Sequence, residues 1–267
     1  YFEKGLGKAL GYLVGALVVG TAFHHLLKDR TTAFPWKYVL IGTSSLAVLG
    51  GVLMVGLVPD GPYRKPGQKI YVSAFLQVFR NPNFRSAAFG YFGHMWELYA
   101  FWAFVPVMLK TYSTIHPEAA FNIPLLSFLI IATGGLACVL GGSLAQALGT
   151  KRVAFLALML SCGCCLVSPL VFAQGEAILF VALLLCWGMV VIADSPLFST
   201  LVAQNAQPEI KGTALTIVNC IGFAITIVSI QLLTGIKEVT ASNSVYMLLA
   251  LGPILGLMVL SKKKPTK

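Results

Sequence analysis

Acidic residues are scarce in this sequence: nine Asp and Glu stand among 267 residues, against nineteen Lys and Arg. Only 10% of residues are charged, where a soluble globular domain carries roughly 25%. With 57% hydrophobic residues and a mean hydropathy of +0.84, that shortfall excludes a soluble domain and points to an integral membrane protein. The net charge of +10 carries no nucleic-acid signal, because no run of basic residues sits beside aromatics on a polar segment. Disulfide chemistry lacks its usual setting. Cys138, Cys162, Cys164, Cys165, Cys186 and Cys220 all fall inside apolar segments, as small buried hydrophobes do. The cluster Cys162, Cys164 and Cys165 has no His, Asp or Glu in its segment, so no metal site is expected there. A phosphate-cradling loop, a zinc-binding helix motif and a nucleophile elbow are also missing, which leaves ATP-driven pumping unsupported and no cofactor expected. The sequence opens on Tyr1 with no secretory signal pattern behind it, so we expect a fragment without its natural N-terminus.

What is present is a series of apolar stretches. Crossing roughly 30 Å of hydrocarbon takes about 20 helical residues. Eight stretches qualify: 9–27, 38–58, 86–109, 124–148, 153–173, 177–203, 212–235 and 243–261. The very short seam between the fourth and fifth predicts two antiparallel neighbours joined by a tight turn. Placing both ends of the chain in the cytoplasm puts fourteen of the nineteen Lys and Arg on that side, including Lys4, Arg64, Lys151, Arg152 and Lys262. The opposite side receives Lys28, Arg30, Lys37, Lys110 and Lys237. The positive-inside rule supports this orientation, which requires an even number of spans. The long connection 59–85 divides the chain into two spans before it and six after it. Within it, residues 70–79 read equally as a short amphipathic surface helix or as an ordinary tether.

The third span holds the strongest functional signal. Residues 85–106 read RSAAFGYFGHMWELYAFWAFVP, apolar enough to cross a bilayer yet carrying His94 and Glu97 at its middle. A carboxylate near mid-membrane costs on the order of 3 kcal/mol on insertion scales, so such residues mark functional sites by default. Three residues apart, His94 and Glu97 share a helix face, which is expected to line a water-filled or substrate-filled cavity. Glu97 stands to couple protons or bind substrate, with His94 as its relay or hydrogen-bond partner. Trp96, Tyr99 and Trp102 surround the pair, and Trp96 and Trp102 offer flat faces for a substrate. The bland alternative is a His/Glu pair that only joins helices. In the sixth span, Asp194 precedes Pro196, which removes a backbone hydrogen bond and loosens the helix as a hinge. Ser195 and Ser199 are placed to satisfy the carbonyls so freed. Thr216, Asn219, Thr226 and Gln231 in the seventh span more often bridge helices than bind ligand. Trp36 reads as an interfacial anchor, and His24 and His25 as interfacial residues on different helix faces.

The seam between the fourth and fifth spans reads Gly142, Gln146, Gly149, Lys151 and Arg152 at fixed spacing. It resembles the loop signature of the major facilitator superfamily, with Gln146 where that signature has an acid. The first span, with Gly11, Gly15 and Gly20, is similar to the family's glycine-rich fifth helix, without the glycine-proline pair of its antiporters. The resemblance implies an all-α polytopic bundle, eight spans forming part of a twelve-helix fold. Residues 1–58 would be the last two helices of the N-terminal half, 59–85 the cytoplasmic connection and 86–267 the C-terminal six-helix half. On that mapping the spans carrying Glu97 and Asp194 line a central cavity. The resemblance also implies a conformational lock, with Asp194 pairing with Lys151 or Arg152 beside Gln146. A role for Asp194 in the substrate or proton pathway, for which Asn219 is also a candidate, stands equally.

The function implied is that of a secondary transporter in a cell membrane, such as an inner membrane, with its C-terminus cytoplasmic. It would move a small polar or anionic solute by alternating access. Proton symport through Glu97 and uniport both remain open. The partners expected are the solute, the bilayer and protons, with no nucleic acid. Two other classes compete: a transport-dead receptor or scaffold of the same fold, and a membrane-embedded enzyme using His94, Glu97 and Asp194 as a metal or acid-base group.

Overall fold

The computed structural model describes residues 5–30, 37–59, 78–240 and 242–261. Trp36, residues 70–77 of the expected surface helix and most of the 59–85 connection lie outside the described residues. All regular structure among the described residues is helical. The helices are α1 (Leu6–Arg30), α2 (Lys37–Leu57), α3 (Pro82–Ile115), α4 (Ile123–Leu148), α5 (Thr150–Ala173), α6 (Ala177–Ala193), α7 (Ser195–Asn205), α8 (Lys211–Val239) and α9 (Leu251–Ser261). A 3₁₀ turn at Pro208–Ile210 leads into α8, and a 3₁₀ stretch at Asn243–Ala250 leads into α9.

Seven segments among the described residues are long and apolar enough to cross a membrane. They are α1, α2, α4, α5, the α6–α7 unit, the unit ending in α8 and the unit ending in α9. The eighth expected span, α3, is not among them, although its 34 residues give it ample length. His94, Glu97 and its tyrosines lower its apolarity, and its ends run past 86–109 into polar residues.

Local sequence sets the boundaries. Asn81 caps α3, its Oδ1 accepting from the amides of Asn83 (2.9 Å) and Phe84 (3.4 Å), with Pro82 at the first turn. Asn122 caps α4 in the same way through the Leu125 amide at 3.0 Å. The tight turn expected at the fourth seam is a single residue, Gly149, with φ of 90°. A side chain there would strain the backbone, so glycine is what lets α4 fold straight back into α5.

Glycines also set the helix spacing. A methyl group at Gly11 would lie 2.7 Å from the Cys138 carbonyl, and one at Gly15 would lie 2.8 Å from the Gly135 carbonyl. Reciprocally, Gly135 and Gly142 present the same closeness to Gly15 and Gly7. Helix α1 therefore packs backbone to backbone on α4, as small residues allow where lipid supplies no hydrophobic drive. Gly20, grouped with Gly11 and Gly15 on sequence spacing, meets nothing within 4 Å; Gly7 takes its place in the contact. The other face of α4 carries Gly134 and Gly141 against Ile192 and Ala193 of α6, and Gly188 of α6 abuts the Ile130 carbonyl. Thus α4 lies flat between α1 and α6, while α3 packs on α8 and α9, and α5 packs on α6 and the 3₁₀ stretch. Helix α2 stands apart, with no buried residue.

Candidate functional site

Three ionisable side chains occupy the interior between α3, α5 and α6. His94 and Glu97 are each 1% exposed and Asp194 is fully buried. Burial of this kind is tolerated only where partners replace water.

Glu97 is held by three donors on one oxygen. Its Oε1 accepts from Trp187 Nε1 at 2.6 Å, from Cys165 Sγ at 3.1 Å and from Ser161 Oγ. Ser161 and Cys165 lie four residues apart on α5, so they share a face; Trp187 comes from α6, where its ring lies tilted against Phe101 with centroids 4.5 Å apart. The other oxygen, Oε2, has no hydrogen-bond partner among the described residues. One carboxyl group thereby ties three helices together.

His94 turns away from Glu97. Its Nδ1 sits 2.8 Å from Asp194 Oδ1, an ion contact by distance without the alignment of a full hydrogen bond. The rings of Tyr91 and Phe198 flank the imidazole, with centroids 5.9 and 6.1 Å away. In this conformation His94 and Glu97, one helix turn apart, are not partners: His94 meets Asp194 at the end of α6, while Glu97 takes its donors from α5 and α6. In this conformation the polar stripe is packed against α5, α6 and α7.

Asp194 stands where the sixth span breaks. Helix α6 ends at Ala193 and α7 begins at Ser195, with Pro196 buried in its first turn. A proline has no amide hydrogen, so the carbonyl four residues before it, that of Ile192, loses its helical donor. Cys138 of α4 donates its thiol to that carbonyl at 3.5 Å, a role expected of Ser195 or Ser199 on sequence. The helix is interrupted at Asp194, two residues before Pro196. The lock is not made in this conformation: Asp194 pairs with His94, while Gln146, Lys151 and Arg152 are exposed around the α4–α5 turn.

The other singled-out residues lie further out. Trp96 is half-buried and donates Nε1 to the Leu248 carbonyl at 3.1 Å, so its edge serves helix packing. Tyr99, half-buried, meets Trp102 edge-on at 5.2 Å and Phe223 of α8 at 5.5 Å. Asn219, Thr216 and Gln231 are exposed on α8; of that polar set Thr226 alone is buried, donating to the Met95 and Gly222 carbonyls, each at 3.1 Å. Cys186 and Cys220 are exposed rather than buried. His24 and His25, expected on different faces, lie ring against ring at 3.9 Å.

Ser161, Cys165, Trp187 and Cys138 did not stand out in the sequence. A signal existed for the first three: Ser161 and Cys165 at helical spacing are polar atoms in an apolar span, and Trp187 lies seven residues, two turns, before Asp194. Nothing in spacing alone assigns them to Glu97. Among the described residues no group of three His, Cys, Asp or Glu is arranged to hold a metal.

The fold and this interior define a multi-pass helical membrane protein with ionisable groups buried at a broken helix. Residues 3–230 match the Major Facilitator Superfamily, and the chain belongs to that family, one of membrane transporters. A search of curated proteins finds no match.

Proposed function

We propose that this protein is a secondary transporter that moves a small polar or anionic solute by alternating access, with protons as the coupling ion. The observation that carries the reading is the His94–Asp194 contact, buried at the point where Pro196 breaks the sixth span. A helix interrupted beside ionisable groups has backbone freedom where charge is handled, which is what rocking about a fixed site requires. Glu97, a turn along α3, belongs to the same buried group and supplies a second titratable oxygen. Tyr99 and Asn219, on the outward faces of α3 and α8, supply polar contacts for the solute; Trp96 stands beside them.

In the same reading 1–58, 59–85 and 86–267 form the end of one half, the connection and the second half. Both chain ends lie in the cytoplasm, and Gln146, Lys151 and Arg152 act as a lock with Asp194 in another conformation. The close α1–α4 contact joins the two halves.

The test is a thermal-stability screen of the full-length protein in detergent against anions, sugars, amino acids, nucleosides and drugs at two pH values, repeated with Asp194→Asn. A ligand that binds the folded state raises the melting temperature by mass action. One solute class should raise it in a pH-dependent way, and the variant should lose the effect. No shift with any class, alongside no uptake into vesicles, would favour a receptor or scaffold of the same fold.

A further inference from the structure

The three donors on Glu97 do more than satisfy a buried acid. They are all aimed at Oε1, from Ser161 Oγ, Cys165 Sγ and Trp187 Nε1, while Oε2 is left without a partner among the described residues. A carboxyl oxygen has two lone pairs, and three donor hydrogens already crowd those of Oε1. A proton placed on Oε1 would point an O–H bond into that set. Only Oε2 has free lone pairs to take one.

We propose that Ser161, Cys165 and Trp187 are positioning residues that fix Oε1 as the permanent acceptor and so make Oε2 the one oxygen through which Glu97 gains and loses a proton. This rests on the proton-coupled reading above. The cage keeps the proton-bearing oxygen in one place while the carboxyl group changes charge, so that neither state requires the side chain to rotate. The other titratable groups around Glu97 are Asp194 at the break and Cys162, Cys164 and Cys165 on α5, while His94, a turn away on α3, is in contact with Asp194. His94 and Asp194 are in contact with one another at 2.8 Å, and Cys165 donates to Glu97. Glu97 therefore stands as the buried carboxyl without an ion contact among the described residues.

Infrared spectroscopy reads the claim directly and without a known solute. Full-length protein in lipid is titrated from about pH 5 to about pH 9, and the carboxylic-acid C=O band that vanishes in Glu97→Gln is assigned to Glu97. With the proton on Oε2, the C=O oxygen is Oε1 and receives all three bonds. Trp187→Phe, which keeps a ring against Phe101, and Ser161→Ala should each move that band to higher wavenumber. Ser161→Thr and Cys165→Ser, which keep a donor, should leave it near the wild-type position. A Glu97 band that stays in place in both Trp187→Phe and Ser161→Ala overturns the positioning role. If no band is lost in Glu97→Gln at any pH, Glu97 never takes a proton, and the positioning role falls together with proton coupling through this residue. If the band shifts as expected but Glu97→Gln still couples solute to protons in vesicles, the cage stands and Glu97 is removed from the coupling path.

Discussion

Replacing His94 with Leu removes the imidazole 2.8 Å from Asp194 and leaves that carboxyl fully buried without its ion contact. Asp194 sits at the helix break, between the apolar end of α6 and the first turn of α7. Removing one member of a buried pair costs about 3–5 kcal/mol, because the survivor is uncompensated. Asp194→Leu strands His94 in the same way. The double variant His94→Leu/Asp194→Leu deletes both polar groups and fills the space with hydrocarbon, so it should cost much less than the two single changes added together. Its non-additivity should fall within the 0.5–3 kcal/mol seen for contacting residues, or exceed it. Four cysteines, Cys138, Cys162, Cys164 and Cys165, are buried, so a thiol-reactive fluorogenic dye reports unfolding once Cys186 and Cys220 are changed to Ser. At about 2–4 °C per kcal/mol for a chain of this size, each single variant should melt roughly 6–20 °C below the parent. Single variants within about 2 °C of the parent, on that same scale, or a double variant equal to the sum of both, would refute the pairing.

Gly11→Val and Gly15→Leu should each force α1 away from α4, at about 1–3 kcal/mol for overpacking, whereas Gly20→Ala should melt like the parent; equal effects at all three positions would contradict the contact. Gly149→Ala should lower stability by about 1 kcal/mol through its positive φ, read in the same melting assay. A membrane-permeant maleimide should label Cys186 and Cys220 in the folded protein and reach Cys138 and Cys165 only on unfolding, as peptide mass spectrometry would show. Pro196→Ala restores the regular helical donor to the Ile192 carbonyl, which here accepts from the Asp194 amide and the Cys138 thiol, so it should stiffen the sixth span; amide hydrogen exchange at 193–198 should slow, and unchanged exchange would remove Pro196 as a hinge.

Spans were legible because a bilayer demands long apolar runs, and residues that meet the demand are visible one by one. Helices α4 and α5 fall where the runs fall, and Gly149 announces their turn. The break in the sixth span was legible from Pro196 alone. Partners across helices were not. His94 and Glu97 sit at neighbouring spacing on α3, but spacing on one helix says nothing about which helix faces each side chain. Asp194 arrives from the α6–α7 break, on a helix that Gly134 and Gly188 bring close to α4, and Ser161 arrives from α5. The same limit hid Cys138. A cysteine in an apolar span reads as a small hydrophobe until a proline on a neighbouring helix frees a carbonyl within reach of its thiol.

The account turns on coupling between solute and proton movement at the buried acids. Its most direct measurement is proton flux into vesicles containing the full-length protein, followed with an internal pH dye as solutes identified by the stability screen are added. The wild type should acidify the interior on adding solute, and Asp194→Asn, folded and inserted to the same level, should not. Solute uptake with no accompanying proton, or undiminished proton flux in Asp194→Asn, would contradict it.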